Sequence, residues 1–381
     1  MPEPFKNFFN EARVKGLATQ IVSYCPQFDG QGFVDFVISG LEDLELKERS
    51  ARIAEGLGHF LPANFAQSAI ILQRCLHPDE DTAFQSDADF GAEGVRGWMI
   101  APMSHYVAEQ GMGHFDLAMA TLKEMTKRFT AEFAVRFFLL EDRDRALAIM
   151  EDWICDPNRH VRRLVSEGTR PRLPWAMRLP MFQEDPAPVL ALLEKLKDDG
   201  EEYVRRSVAN NLNDIAKDHP DLVADVAARW MKNASRERQR LVRHALRTLV
   251  KQGHPKALAA LGFGEAEVDL ARLAIKTPVV TFGDALEFEV ELQSKAANDQ
   301  KLVIDYVVHH MKANGSLTPK VFKWTAITLP AGGVHKAQRK HAIRPITTRR
   351  YYPGLHKLEI VANGKSLGVI DFELAMEMVA E

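Results

Sequence analysis

The sequence predicts a mainly α protein, a HEAT-like α-solenoid over residues 1–262, followed by a small all-β immunoglobulin-like sandwich over residues 263–381. Three observations carry this prediction. Apolar residues recur at helical spacing from Phe5 to Leu261, with short connections between the helical stretches. After Gly262-Phe263-Gly264 the apolar pattern alternates with period two between turn-forming clusters. Within the helical part, one basic motif recurs at nearly constant intervals.

The chain opens with Phe5, Phe8, Phe9, Val14 and Leu17 at helix-like spacing, continued by Phe33, Phe36, Val37 and Leu41. Residues 44–60 and 66–76 read as amphipathic helices separated by Pro62. Residues 77–98 are acidic and contain glycine, which suits a loop with a short turn. The helical pattern resumes over 99–109, 114–127, 129–140 and 143–153. In 129–140 (F-T-A-E-F-A-V-R-F-F-L-L), Thr130 is placed to cap and the charges are Glu132 and Arg136. A carboxylate among Phe129, Phe133, Phe137 and Phe138 needs a partner if it is buried, and Arg136 at i+4 could supply it.

Residues 155–175 read C-D-P-N-R-H-V-R-R-L-V-S-E-G-T-R-P-R-L-P-W. Asp156 followed by Pro157 is a helix start, with Asp as N-cap, and Gly168 is a stop. Arg159, Arg163 and Glu167 fall at i, i+4 and i+8 on one stripe, and a Pro-broken segment bearing Arg170 and Arg172 leads to Trp175. Cations, one carboxylate and an aromatic on one face suit a phosphate backbone and something held against it. An ordinary surface ion pair between Arg163 and Glu167 accounts for the same spacing. Further helices follow over 186–197, 201–217, 220–232, 236–251 and 255–261.

V-R-R-L-V at 161–165, V-R-R-S-V at 204–208 and L-V-R-H-A-L at 241–246 each sit late in a helix pair. Arg163 to Arg206 is 43 positions and Arg206 to Arg243 is 37. A period of about 40 with two helices per unit is that of HEAT-type stacking. Stacked repeats would align Arg159, Arg162 and Arg163, then Arg205 and Arg206, then Arg236, Arg240, Arg243 and Arg247, as a basic track. The last four fall at i, i+4, i+7 and i+11, a single helical stripe with His244 beside it. Such a track fits duplex phosphates; an acidic protein partner is the alternative.

The β part offers strands from about Ala266, then over 285–292, 302–308, 320–329, 355–361 and 367–374, six or seven in all. Trp324 falls on the inward side of its strand. Residues 335–350 hold Lys336, Arg339, Lys340, Arg344, Arg349 and Arg350 with no acid, followed by Tyr351 and Tyr352. That segment is either a DNA-gripping element or a charged edge that resists strand aggregation.

Composition bounds the rest. The chain has 381 residues, 46% hydrophobic and 27% charged, with a net charge of −3, so any nucleic-acid surface must be local. The three cysteines are far apart and in no metal-type spacing, which suits a reduced, cytoplasmic compartment. The acid-bearing N-terminus is not a signal peptide and no stretch is apolar for about 18 residues, so no membrane span is expected. No metal site and no cofactor are expected; His160 and His244 are single and read as surface or phosphate-contacting residues.

The runs R-F-T-A-E-F-A-V-R-F-F-L and D-P-N-x-x-V-R-R-L-x-S-E-G-x-R-P-R-L-P-W resemble the AlkC family of bacterial DNA glycosylases, over most of the chain. One departure is Phe137, where the family pattern carries Pro. The resemblance implies HEAT-like repeats, a C-terminal immunoglobulin-like domain in some members, and excision of alkylated bases from duplex DNA without conventional base flipping, the protein acting as a monomer. It assigns Glu132 and Glu167 as the catalytic carboxylates, Trp175 as a stacking or cation–π partner, and Arg159 and Arg163 as phosphate ligands. Arg162, Arg170, Arg172, Arg205, Arg206, Arg240, Arg243, Arg247, Lys336, Arg339 and Lys340 join the expected DNA-binding set. The motifs hold no lysine for a Schiff base, so a monofunctional enzyme that leaves an abasic site is implied. Without the resemblance, the repeat alone allows a non-catalytic HEAT-type scaffold for nucleic acid or an acidic protein.

Overall fold

A computed structural model describes residues 4–80, 90–91 and 93–376. Residues 81–89 and 92 of the expected loop at 77–98 lie outside the described residues; within it, β1 (Phe90–Gly91) and β2 (Gly94–Val95) form a two-residue hairpin pairing. The chain divides into two compact units, Met1–Asp218 and His219–Glu381.

The first unit is helical: α1 (Glu11–Tyr24), α2 (Gly30–Ile38), α3 (Leu46–Phe60), α4 (Phe65–Arg74), α5 (Ile100–Gln110) and α6 (Phe115–Thr126). It continues through α7 (Val135–Glu141), α8 (Arg143–Asp152), α9 (Arg159–Gly168), the short α10 (Pro180–Glu184), α11 (Ala187–Leu196) and α12 (Glu202–Ile215). The starts are set by local chemistry. Asn10, Asp29, Asn64 and Asp142 each accept a backbone N–H of the turn they open, and Glu45 with Glu48 forms a capping box on α3.

Two expected boundaries shift. The N-cap of α9 is Asn158, whose side chain accepts from His160 N at 2.8 Å; Asp156 instead accepts from Asn158 N in the turn before it. The helix expected from Phe129 begins only at Val135, and Ala131–Ala134 form a turn closed by the Ala134 N–H on the Ala131 carbonyl. Thr130 does not cap: its hydroxyl donates to Glu132 at 2.7 Å.

The second unit begins with α13 (Pro220–Met231), α14 (Arg236–Ala245), α15 (Arg247–Lys251) and α16 (Pro255–Ala260). These four helices fall inside residues 1–262 but pack with the sandwich. Gly253 after α15 and Gly364 meet so closely that a Cβ on either would lie 2.5 Å or less from the other's Cα. The strands are β3 (Val268–Ile275), β4 (Val279–Thr281), β5 (Ala285–Ser294), β6 (Gln300–Met311), β7 (Leu317–Leu329), β8 (Val334–Ala342), β9 (Gly354–Ala362) and β10 (Lys365–Ala375).

They form a five-stranded sheet in the order β4-β10-β9-β6-β7 and a three-stranded sheet β3-β5-β8, an immunoglobulin-like sandwich. In β5 the alternation is complete: Leu286, Phe288, Val290 and Leu292 are buried while Glu287, Glu289 and Glu291 face outward. Trp324 packs edge-on against Phe288 at 5.3 Å, as its alternation requires. The basic segment as far as Ala342 forms strand β8, at the edge of its sheet, and Arg344, Arg349 and Arg350 follow the strand.

In chain order the helices that carry the recurring basic motif, α9, α12 and α14, follow α8, α11 and α13.

Candidate active site

The turn before α7 brings Glu132 to the mouth of a cleft, α9 delivers Glu167 from its last turn, and the segment after α9 brings Trp175. All three line one cleft of about 550 Å³, together with Phe129, Phe133, Phe137, Trp98, Lys47 and Arg170. A largely apolar wall, aromatic in part, with a few convergent polar groups is the usual character of a ligand site.

Trp175 is 61% exposed and holds a left-handed backbone, φ 66°, an uncommon state for an aromatic residue. Three residues hold that segment. Arg136, fully buried, donates to the carbonyls of Gly168, Arg170 and Met177, so one guanidinium ties both ends of the Trp175 segment to α7. Arg136 therefore makes no hydrogen bond to Glu132, the partner that the i+4 spacing offers. Lys47 on α3 donates to the Trp175 carbonyl, and Phe5 lies edge-on to the indole at 6.4 Å. At Gly168 a Cβ would stand 2.6 Å from Val135, so this glycine permits close packing of α9 on α7.

Glu167 is buried and both its oxygens accept hydrogen bonds, Oε1 from Arg170 Nη1 at 2.6 Å and Oε2 from Ser207 Oγ at 2.5 Å. Arg163 Nη2 lies 3.6 Å from Oε1. Burial by itself pushes the Glu167 carboxyl up, but Arg163, Arg170 and the Ser207 hydroxyl together hold it below its ordinary value. Glu132 Oε2 accepts from Thr130 Oγ1 and from Arg163 Nη1 at 2.9 Å, while Oε1 accepts no hydrogen bond among the described residues. Behind these groups Arg170 Nε donates to Asp214 at 2.8 Å. Asp214, Arg170, Glu167, Arg163 and Glu132 thus form a chain of alternating charge that runs from α12 to the cleft.

Several members of the expected DNA-binding set have partners within the protein. Arg163 is not on a phosphate-facing stripe: it lies between the two glutamates with its guanidinium 5.0 Å from the Tyr203 ring centroid. Arg170 is buried on Glu167 and Asp214. Arg162 makes two hydrogen bonds to Asp199, Arg172 makes two to Asp218, and Arg205 donates to the Asp199 carbonyl. For the buried groups the reason is the same, because a guanidinium turned toward the packed interior must find carboxylates or carbonyls, whereas Arg172 and Asp218 form an exposed pair. His160 is also buried, edge-on to Tyr203 at 5.4 Å, and is not a surface residue.

Arg159 remains half-exposed, 3.9 Å from Glu201, and Arg206 is exposed with an i, i+4 pair to Glu202. In the second unit Arg240 and Arg243 are exposed on α14 and have no carboxylate partner among the described residues. The helix breaks at Leu246, so Arg247 opens α15 and donates back to the His244 carbonyl at the end of α14. On β8, Lys336 pairs with Glu291 at 3.1 Å and Lys340 with Glu287 at 2.6 Å, and Arg339 stands opposite Phe288 in the β5–β8 register. The acids that neutralise the basic segment come from β5, across the sheet.

Sequence reasoning missed Ser207, Asn211 and Asp214 on α12, though their i, i+4, i+7 spacing was a readable signal. Lys47 and Trp98 carried no such signal. Among the described residues no group of three or more His, Cys, Asp or Glu stands close enough to hold a metal, and no helix is long and apolar enough to cross a membrane.

Residues 128–266 match the family described as DNA alkylation repair enzyme, and residues 269–376 match that of the C-terminal Ig-like domain of uncharacterised protein YhaZ. Uncharacterized protein YhaZ of Bacillus subtilis (strain 168) is 36% identical over 371 residues, 97% of this chain and 99% of that one. Among solved structures, alkylpurine DNA glycosylase AlkC of Pseudomonas fluorescens, bound to DNA containing an abasic site analog, is 38% identical with a TM-score of 0.86. The match covers 98% of this chain and 100% of that one.

Proposed function

The chain belongs to the AlkC family of alkylation-repair DNA glycosylases, and from that premise we propose that it releases cationic N3-alkylated bases from duplex DNA, 3-methyladenine foremost and 3-methylcytosine as a second substrate. The observation that carries this reading is the meeting of Glu132, Glu167 and Trp175 at one cleft. A base alkylated at a ring nitrogen is already cationic and leaves without being protonated. The barrier is the oxocarbenium-like sugar, which an anion stabilises and a positioned water traps.

Glu167, held as a carboxylate by Arg163, Arg170 and Ser207, supplies the fixed negative charge. Glu132, with one oxygen uncommitted, orients the water and takes its proton as the water oxygen bonds C1′ and the C1′–N bond electrons leave with the base. Trp175 stacks on the cationic lesion. An indole on the surface, and not on the floor of a deep pocket, supports engagement of the lesion without full extrusion. Lys47, the lysine beside the cleft, is committed to the Trp175 carbonyl, which supports a monofunctional reaction ending at the abasic site. Arg159, Arg206, Arg240, Arg243, Arg247, Lys336, Arg339 and Lys340 are the cations assigned to phosphates.

The test is base release from methylated duplex DNA by the wild type, Glu132→Gln and Glu167→Gln. The wild type should release 3-methyladenine and leave an unbroken strand bearing an abasic site, and each variant should lose roughly a hundredfold or more in rate. No release by the wild type would reject the function; full activity in both variants would reject the residue roles.

A further inference from the structure

Ser207, Asn211 and Asp214 form one polar stripe on α12, at i, i+4 and i+7, and all three are buried. Each is spent on the segment that carries Glu167. Ser207 Oγ donates to Glu167 Oε2 at 2.5 Å. Asn211 Nδ2 donates to the Ser166 carbonyl at 2.8 Å and to Thr169 Oγ1 at 3.2 Å, on either side of Glu167. Asp214 Oδ2 accepts from Arg170 Nε at 2.8 Å, and Arg170 Nη1 in turn donates to Glu167 Oε1 at 2.6 Å.

We propose that this stripe makes α12 a positioning element for Glu167, with Ser207 as the residue that sets the rotation of its carboxylate. The inference rests on the reading of Glu167 as catalytic and names residues that act through it. Packing of α12 on α9 does not require the stripe, because Val204, Val208 and Leu212 are buried on the same helix. A purely structural contact would be more stable with apolar groups at these positions than with an Asp and a Ser brought out of water.

What the stripe adds is orientation. Asn211 holds the backbone, Asp214 holds Arg170, and Arg170 and Ser207 pin one carboxylate oxygen each, so the carboxylate plane cannot turn when a lesion enters. A preorganised charge acts on a developing cation without rearranging, and that advantage is lost when the charge must first be reoriented. The charged and titratable groups around Glu167 are Arg163 on α9, Arg170 after it, Glu132 before α7, Arg136 on α7 and Tyr203 on α12. None of them replaces the Ser207 donor on Oε2.

The experiment measures single-turnover release of 3-methyladenine from methylated duplex DNA across pH, duplex affinity and melting temperature, for the full-length wild type, Ser207→Ala, Ser207→Thr, Asp214→Asn and Glu167→Gln. Ser207→Ala should lose about tenfold in rate, the kinetic equivalent of one pKa unit. Its duplex affinity should be unchanged, and its acid limb should move to higher pH because Glu167 has lost a donor. Ser207→Thr, which keeps the hydroxyl, should restore both rate and pH profile, and Asp214→Asn should follow Ser207→Ala in direction. A Ser207→Ala enzyme with wild-type rate and acid limb would overturn the proposal. So would a loss that tracks melting temperature and is not restored by Thr. Wild-type activity in Glu167→Gln would instead overturn the catalytic reading on which the proposal stands.

Discussion

Arg163 and Glu132 meet at 2.9 Å, Nη1 on Oε2, joining α9 to the turn before α7, and the same guanidinium stands 3.6 Å from Glu167. One cation therefore serves both carboxylates. Burial by itself lowers the Arg163 pKa, and the two glutamates more than reverse that. Arg163→Met should leave two carboxylates without their shared partner at a cost of about 3–5 kcal/mol, the range for opening a buried ion pair. The urea midpoint at neutral pH would measure it. Glu167 adds a pH dependence of known sign: its folded carboxyl is held below the ordinary 4.5. Its contribution is present above that value and is lost as pH falls through the folded value. In Glu167→Gln that part of the acid loss of stability should disappear from a midpoint-against-pH series.

Arg136 predicts a different failure. With Lys in its place, a single ammonium cannot reach the carbonyls of Gly168, Arg170 and Met177 together. Buried carbonyls left without donors should cost about 1–3 kcal/mol. Limited proteolysis should then cut near Trp175 faster than in the wild type; an unchanged cleavage rate would show that the clamp is dispensable.

Trp175 separates backbone from side chain. Gly accepts φ 66° freely, whereas Ala keeps the strain of the left-handed state. Trp175→Gly should therefore melt no lower than Trp175→Ala, with a stability difference of about 1 kcal/mol in favour of Gly, less the greater freedom of Gly in the unfolded chain. Both should lose base release, because neither offers a ring to stack on the lesion.

Arg240 and Arg243 should matter more for the duplex than Lys336 and Lys340. The arginines have no carboxylate partner among the described residues, while the lysines face Glu291 and Glu287. Replacing both arginines with Ala should weaken duplex binding at all sequences alike and flatten the salt dependence by about two phosphate contacts. The double lysine variant should change the slope less. A larger effect from the lysines would show that the β5 glutamates release them to phosphate.

The sequence by itself determined the two fold classes and the helix order, because these follow from periodicity and from turn and capping residues within a few positions. It also singled out Glu132, Glu167 and Trp175, which stand in two unusual runs, and all three line one cleft. Which partner each charge chose was decided only by tertiary structure. Arg136 lay one helical turn from Glu132 in sequence yet went to carbonyls 32, 34 and 41 positions away. Arg163 and Arg170 turned inward to Glu167, and the acids facing β8 came from a strand roughly fifty residues earlier. Spacing along a helix says which face a side chain occupies. Whether that face meets solvent, a carboxylate or a bare carbonyl depends on what packs against it, and the cost of burying an unpaired charge then makes the choice.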